Sequence, residues 1–146
     1  MIAYLDASAL VKLFLDEDDA DLARGVWESE LPVATARVSQ AELACALEAA
    51  VRNRRLGRGR VEQGIHDGTF LWNRADAIEA NAKVVDAASR LGMHHGLRGI
   101  DALHVASALK LLPLDPVLVS WDDHQRRAAA AEGLPVYPET TTAALR

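Results

Sequence analysis

The 146-residue sequence predicts a three-layer α/β/α fold, one domain over residues 1–146 around a mostly parallel sheet of four or five strands. Three observations predict it. Short apolar runs bounded by breakers alternate with segments of helical period along the whole chain, the order that builds βαβ units. The first of these runs, Ile2 to Leu5, leads straight into Asp6, and a later one, Pro116 to Ser120, into Trp121-Asp122-Asp123, placing acids at the carboxyl ends of buried parallel strands, where open α/β sheets bind their ligands. Half of the residues are hydrophobic and a quarter charged, enough for a sizeable core without disulfides or a structural metal.

Taken in order, Ile2-Ala3-Tyr4-Leu5 is the first strand, and Asp6 or Ser8 caps a helix over Ser8 to Leu15 with apolar positions Leu10, Val11, Phe14 and Leu15. A second helix is expected over Ala20 to Ser29; the acidic group Glu17, Asp18, Asp19 and Asp21 at its start suits the helix dipole and reads as a solvated run. Pro32 to Ala36 is a second strand, followed by a long helix from Ser39 to Arg54. Ser39-Gln40-Ala41-Glu42 has the form of a capping box, which gives Glu42 a structural role; its helix face also carries Cys45, Ala46 and Ala49, small residues suited to a close contact.

Five arginines and two glycines lie within Arg52 to Arg60, either a solvated helix end or a phosphate-binding patch presented by Arg54, Arg55 and Arg58. Val61 to Gly68 is expected as a short helix, Thr69 to Asn73 as a third strand, and Asp76 to Leu91 as an amphipathic helix ended by Gly92. His94 and His95, adjacent in sequence, point in different directions on any regular element and read as exposed loop histidines, with no shared metal site. A helix over Ile100 to Leu111 carries Asp101 in its first turn, on the stripe with His104, Val105, Ala108 and Leu112 that should face the core. A carboxylate on that side is costly unless paired or metal-bound, so Asp101 is a functional candidate. The strand Pro116 to Ser120, a helix over Asp122 to Glu132, a short strand within Gly133 to Tyr137 and a loosely held threonine-containing tail complete the chain.

The single cysteine, Cys45, excludes an intrachain disulfide and points to a reducing compartment; we expect a cytoplasmic protein. No basic leader precedes the first strand, and no uncharged apolar run is long enough to span a membrane. A net charge of −5 argues against a surface that attracts nucleic acid everywhere and leaves local patches open.

In this architecture Asp6 and Asp122 follow strands at the carboxyl edge of the sheet, and Glu42 and Asp101 open helices that start on the same side. The four can converge. Two carboxylates about 4 Å apart repel by roughly 4 kcal/mol at an effective dielectric of 20, so such a group calls for protons or cations. Oxygen donors without sulfur or nitrogen select Mg²⁺ or Mn²⁺, and Ser8 and Ser120 can support the outer shell. The chemistry that follows is metal-assisted hydrolysis of a phosphodiester.

Asp6-Ala7-Ser8 after the first strand, Ser39-Gln40-Ala41-Glu42, the run Leu97-Arg98-Gly99-Ile100-Asp101-Ala102-Leu103-His104-Val105-Ala106-Ser107-Ala108, and Ser120-Trp121-Asp122 resemble the PIN-domain ribonucleases, in particular the VapC toxins of bacterial toxin–antitoxin pairs. The resemblance covers the whole chain in order and spacing. It implies that Asp6, Glu42, Asp101 and Asp122 form an acidic Mg²⁺ site with Ser8 and Ser120 in support. It further implies an endoribonuclease and a homodimer neutralised by a VapB-like antitoxin. Trp121 is bulky for its place, and Asp123 stands where the family often has a basic residue, which leaves Asp122 and Asp123 as alternatives for metal contact.

Two other readings fit the composition. A PIN-like fold retained as a catalytically silent binding module would have no reason to keep all four carboxylates. A receiver-type protein phosphorylated on Asp6 would need a lysine after the last strand, and the only lysines are Lys12, Lys83 and Lys110.

Overall fold

The first strand, β1 (Ile2–Leu5), is buried along its entire length and sits at the centre of a sheet ordered β3-β2-β1-β4-β5, every neighbouring pair parallel. The computed structural model describes residues 1–62 and 64–139; the threonine tail expected from the sequence lies outside them. β2 is Val33–Ala36, β3 is Ala75–Ile78, β4 is Pro116–Val119 and β5 is Val136–Tyr137. Because side chains alternate across a strand, Ile2 and Tyr4 enter one core layer and Ala3 and Leu5 the other.

The helices occupy both faces. α1 (Ala7–Val11), α2 (Ala20–Glu28) and α3 (Ser39–Arg52) cover the Ala3/Leu5 side, where Leu10, Ala23, Leu43 and Leu47 pack on Val33 and Val119. α5 (Ala82–His95), α6 (Gly99–Leu109) and α7 (Asp123–Ala131) cover the Ile2/Tyr4 side with Val84, Leu91, Val105 and Ala129. Chain order leaves β1 for β2 on one side and returns to β4 on the other. The β1/β4 junction is therefore the switch point of the sheet, where open α/β sheets form a crevice at the strand carboxyl ends.

Several expectations are corrected in the middle of the chain. Thr69–Trp72 is a short helix, α4, and not a strand: Leu71 turns into the core while the Trp72 indole donates to Gln40 Oε1 at 2.9 Å. The third strand lies at Ala75–Ile78, inside the segment expected to begin a helix, and its Ala75 and Ile78 are held against β2 by the register Val33↔Ala75 and Ala36↔Ile78. The helix then starts later, capped by Asn81 Oδ1 on the Val84 amide, and runs past Gly92 to Gly96, whose left-handed φ of 67° ends it. His94 and His95 thus close a helix and are not loop residues. The described part of Val61 to Gly68 forms turns in place of a helix, preceded by a 3₁₀ turn at Arg58–Arg60.

The acidic run before α2 is also more than a solvated face. The buried Lys12 ammonium reaches Glu17 Oε1 at 3.1 Å and the Asp18 carbonyl at 2.7 Å, and Asp19 accepts the Trp121 indole N–H at 2.9 Å. This contact accommodates the bulk of Trp121 beside the sheet edge.

Candidate active site

Asp6 is 1 % exposed and ends β1 by capping α1. Its Oδ1 accepts from Ser8 Oγ at 2.6 Å and from the Ala9 amide at 2.9 Å, and its Oδ2 accepts from Ser120 Oγ at 2.6 Å. Three donors hold the carboxylate rigid, yet burial still pushes its pKa up, against the opposing pull of the His104 imidazole and the two hydroxyls. Ser8 and Ser120, expected as supports, are both bonded to it.

From Asp6 a chain of hydrogen bonds crosses the switch point. Ser120 Oγ, at the end of β4, donates to Asp6 and accepts from the Asp122 amide at 3.0 Å. Asp122 caps α7 through Oδ1 on the Gln125 amide at 2.9 Å, and the Gln125 side-chain amide donates to Asp101 Oδ1 at 3.3 Å. Asp6, Asp122 and Asp101 are thereby linked through Ser120 and Gln125. Asp123, the first residue of α7, is exposed and Asp122 half-buried.

Asp101 is 3 % exposed in the first turn of α6. Arg98 spans it from outside, Nε to Oδ2 at 2.8 Å and Nη2 to Oδ1 at 3.4 Å, while 78 % of the arginine side chain remains open to solvent. Asp101, and at longer range Asp122 and Glu42, raise the pKa of that guanidinium. The cation faces three of the four candidate acids.

Glu42 departs from the capping-box expectation. Val38 precedes the helix as its cap residue, Ser39 Oγ is bonded to Thr35 Oγ1 at 2.7 Å, and Glu42 Oε1 lies 2.7 Å from His104 Nε2. His104 is fully buried on α6, with its Nδ1 2.8 Å from Tyr4 Oη. Burial disfavours the imidazolium, but the bond to Glu42 and the negative charges of Glu42, Asp6 and Asp101 outweigh it and raise the pKa. As an imidazolium, His104 donates at both nitrogens, to Glu42 and to Tyr4 Oη. It fixes Glu42 through Oε1 and leaves Oε2 unrestrained by that bond.

The four carboxylates therefore share one edge and one electrostatic neighbourhood. Among the described residues, no three of them bring oxygens within 4.8 Å of one another. Each is held by its own polar partners: Asp6 by hydroxyls, Asp101 by the Gln125 amide and the Arg98 guanidinium, and Glu42 by the His104 imidazole. The residues fit a hydrated divalent cation on two counts. Their donors are oxygens, the set that hard cations take, and a spread-out set suits Mg²⁺, which keeps several waters. In addition, Gln125 Oε1 is buried and accepts no hydrogen bond, so it can receive one from a metal-bound water.

Three residues of this site were not singled out from the sequence: His104, Arg98 and Gln125. A histidine on the core-facing stripe three residues after Asp101 needs polar partners, a signal pointing to His104. Gln125 stands three residues after the Asp122 cap, the spacing of a capping box, but its side chain reaches Asp101. Arg98 has no comparable signal. Of the candidate RNA contacts, Arg55 pairs with Glu17 at 3.2 Å and Arg58 with Glu48 at 2.9 Å, both solvent-exposed pairs; Arg54 takes a left-handed φ of 58°.

The PIN domain family model matches residues 3–131, which includes every member of this constellation. The chain belongs to the PIN-domain family. It is 34 % identical over 137 residues to Ribonuclease VapC49 of Mycobacterium tuberculosis H37Rv, covering 94 % of this chain and 95 % of that protein. Ribonuclease VapC46 of the same organism is 31 % identical over 133 residues, 91 % of this chain and 94 % of the relative. In fold, this PIN domain is similar to FitAcB from Neisseria gonorrhoeae, with a TM-score of 0.66 and 13 % identity over 93 % of this chain and 96 % of that one. It is also similar to VapBC2 from Rickettsia felis, solved bound to a promoter DNA fragment, with a TM-score of 0.61 and 15 % identity over 93 % and 97 % of the two chains. The resemblance read from the sequence motifs and the three-layer parallel fold both stand.

Proposed function

We propose that this PIN domain is a Mg²⁺- or Mn²⁺-dependent endoribonuclease, the toxin of a VapBC-type pair, acting in the cytoplasm as a homodimer and restrained by a VapB-like antitoxin. The observation that carries the reading is the hydrogen-bonded chain Asp6–Ser120–Asp122–Gln125–Asp101 at the switch point, with Glu42 held beside it by His104. A chain with no nuclease task has no reason to bury Asp6 and Asp101 at such cost. The names of its relatives as VapC ribonucleases support the same assignment.

Asp6, Glu42, Asp101 and Asp122 would hold the cation. When bound, the cation supplies a water of lowered pKa and charge stabilisation at the scissile phosphate. The chain's own residues do the rest. Ser8, the Ala9 amide and Ser120 fix the Asp6 carboxylate; Gln125 orients Asp101; His104, anchored on Tyr4, orients Glu42. Arg98, largely exposed, exchanges Asp101 for a phosphate oxygen of the RNA, a partner its fork suits equally well. Arg54, Arg55 and Arg58 bind the RNA backbone outside the reacting centre, Arg55 and Arg58 exchanging surface ion pairs that contribute little.

The test is RNA cleavage by the purified protein. Cleavage should require Mg²⁺ or Mn²⁺, stop with EDTA and be lost in a folded Asp6→Asn variant. Cleavage indifferent to both would end the metal mechanism. A folded protein that binds RNA and never cuts it would be the silent binding module.

A further inference from the structure

A second set of ligating side chains lies outside the acidic edge, where α5 and α7 end. His94 and His95 are the last two residues of α5, and Glu132 is the residue at which α7 stops. Consecutive helical residues project about 100° apart, the ground for expecting no shared site here. In the final turn the two rings nevertheless come together, centroids 4.6 Å apart and planes at 82°. Two imidazoles on one tetrahedral ion, with Zn–N bonds of about 2.0–2.1 Å, place their centroids about 5 Å apart. The observed 4.6 Å is a few tenths of an ångström shorter, a gap that a small rotation of the exposed His94 ring opens.

Glu132 completes the set. Its Oε1 lies 2.7 Å from His95 Nε2, and ligand atoms of His94, His95 and Glu132 all lie within 4.8 Å of one another. This is the one such trio among the described residues. The His95 side chain is 15 % exposed and that of Glu132 34 %, while His94 is open to solvent, so the site is anchored on one side and has an entry path on the other. Arg90, the cation lining the neighbouring cleft with His94 and Glu132, is exposed and free to extend into water.

We propose that His94, His95 and Glu132 form a zinc-binding site separate from the acidic edge. Two imidazole nitrogens and one carboxylate oxygen suit Zn²⁺, with water in the fourth position, whereas the oxygen-only acidic edge suits Mg²⁺. On binding, the hydrogen bond between His95 Nε2 and Glu132 Oε1 gives way to two bonds to the ion, and any proton on the ligating nitrogens passes to solvent. The ion then ties the end of α5 to the end of α7, the helix whose opposite end carries Asp122.

The experiment titrates Zn²⁺ by calorimetry into the Cys45→Ser protein in excess Mg²⁺, which removes the exposed thiol and weakens competition from the acidic edge; the same titration of the Asp6→Asn variant separates the two sites. One Zn²⁺ per chain is expected, with a rise in thermal midpoint; His95→Gln and Glu132→Gln should each weaken binding tenfold or more and remove the rise. Asp6→Asn should leave both intact. Co²⁺ should give a visible band that disappears in His94→Gln. Unchanged Zn²⁺ affinity in the folded His94→Gln/His95→Gln double variant, or binding lost only with Asp6→Asn, would overturn the proposal; either result is independent of whether the protein cleaves RNA.

Discussion

Replacing Asp6 by asparagine is expected to abolish activity and yet make the metal-free protein more stable. The carboxylate is 1 % exposed, and its burial outweighs three accepted hydrogen bonds and the nearby imidazole, so its pKa is raised. Each unit of such a shift is about 1.4 kcal/mol by which the charged form is disfavoured in the native state. Asparagine is nearly isosteric. Its carbonyl keeps the bonds from Ser8 and the Ala9 amide, and its amide can donate to Ser120 Oγ once that hydroxyl turns, at a loss of about 1 kcal/mol for weaker neutral bonds. Because burial disfavours the charge by more than the accepted bonds return, a net gain in stability should remain at neutral pH, read as a rise in the thermal midpoint.

The pH dependence carries the same sign. A carboxyl with a raised native pKa holds its proton in the folded state after the unfolded state has lost it, so its contribution to stability is present below the unfolded pKa and falls as pH rises through the native one. The His104 shift is also upward, so its contribution is present below the ordinary histidine value and is lost as pH rises through the native pKa. Thermal unfolding in EDTA between pH 5 and pH 8 measures this. The advantage of Asp6→Asn over the natural chain should grow as pH rises towards and through the native Asp6 pKa. A variant less stable than the natural chain at pH 8, or an advantage that shrinks with pH, would refute the claim that burial dominates at Asp6.

Other outcomes follow from the same geometry. His104→Asn should lower Mg²⁺ affinity and cleavage together by about ten- to a hundredfold, because it frees Glu42, and Tyr4→Phe should do so more mildly; metal titration read alongside single-turnover cleavage checks both. Ser120→Ala leaves Asp6 Oδ2 and the Asp122 amide without a partner and should cost about 1–3 kcal/mol by denaturant unfolding, with activity reduced. The Arg54→Ala/Arg55→Ala double variant should weaken RNA binding and reduce the salt slope by about 1–2 without moving the thermal midpoint; an unchanged slope would return these arginines to a solvated helix end.

Much of the site was legible because strand ends and helix starts are marked in the sequence. The abrupt change from Leu5 to Asp6 and from Val119 to Ser120 located the carboxyl edge, and right-handed connections then placed Glu42 and Asp101 on the same side. What was not legible depends on contacts distant in sequence. Glu42 fits a capping box by local spacing, and only the packing of α6 against the sheet reveals that His104, 62 residues away, takes its carboxylate instead. The third strand was misplaced for a similar reason. Phe70-Leu71-Trp72 has the residue types of a strand, but Trp72 and Leu71 find their partners from a helical turn, while the modest Ala75–Ile78 is selected by pairing with β2. At His94 and His95 the 100° step between helical neighbours does not keep the side chains apart, because in the last turn the two rings meet edge to face.

The proposed nuclease depends on a divalent cation held at the acidic edge. A crystal of the protein grown with Mn²⁺, measured near the manganese absorption edge, tests it most directly. An anomalous peak is expected at the β1/β4 switch point, bonded to oxygens of the Asp6, Glu42, Asp101 and Asp122 group and to water, with Arg98 displaced from Asp101. An acidic edge with no peak at saturating Mn²⁺, and Arg98 still closed on Asp101, would contradict it.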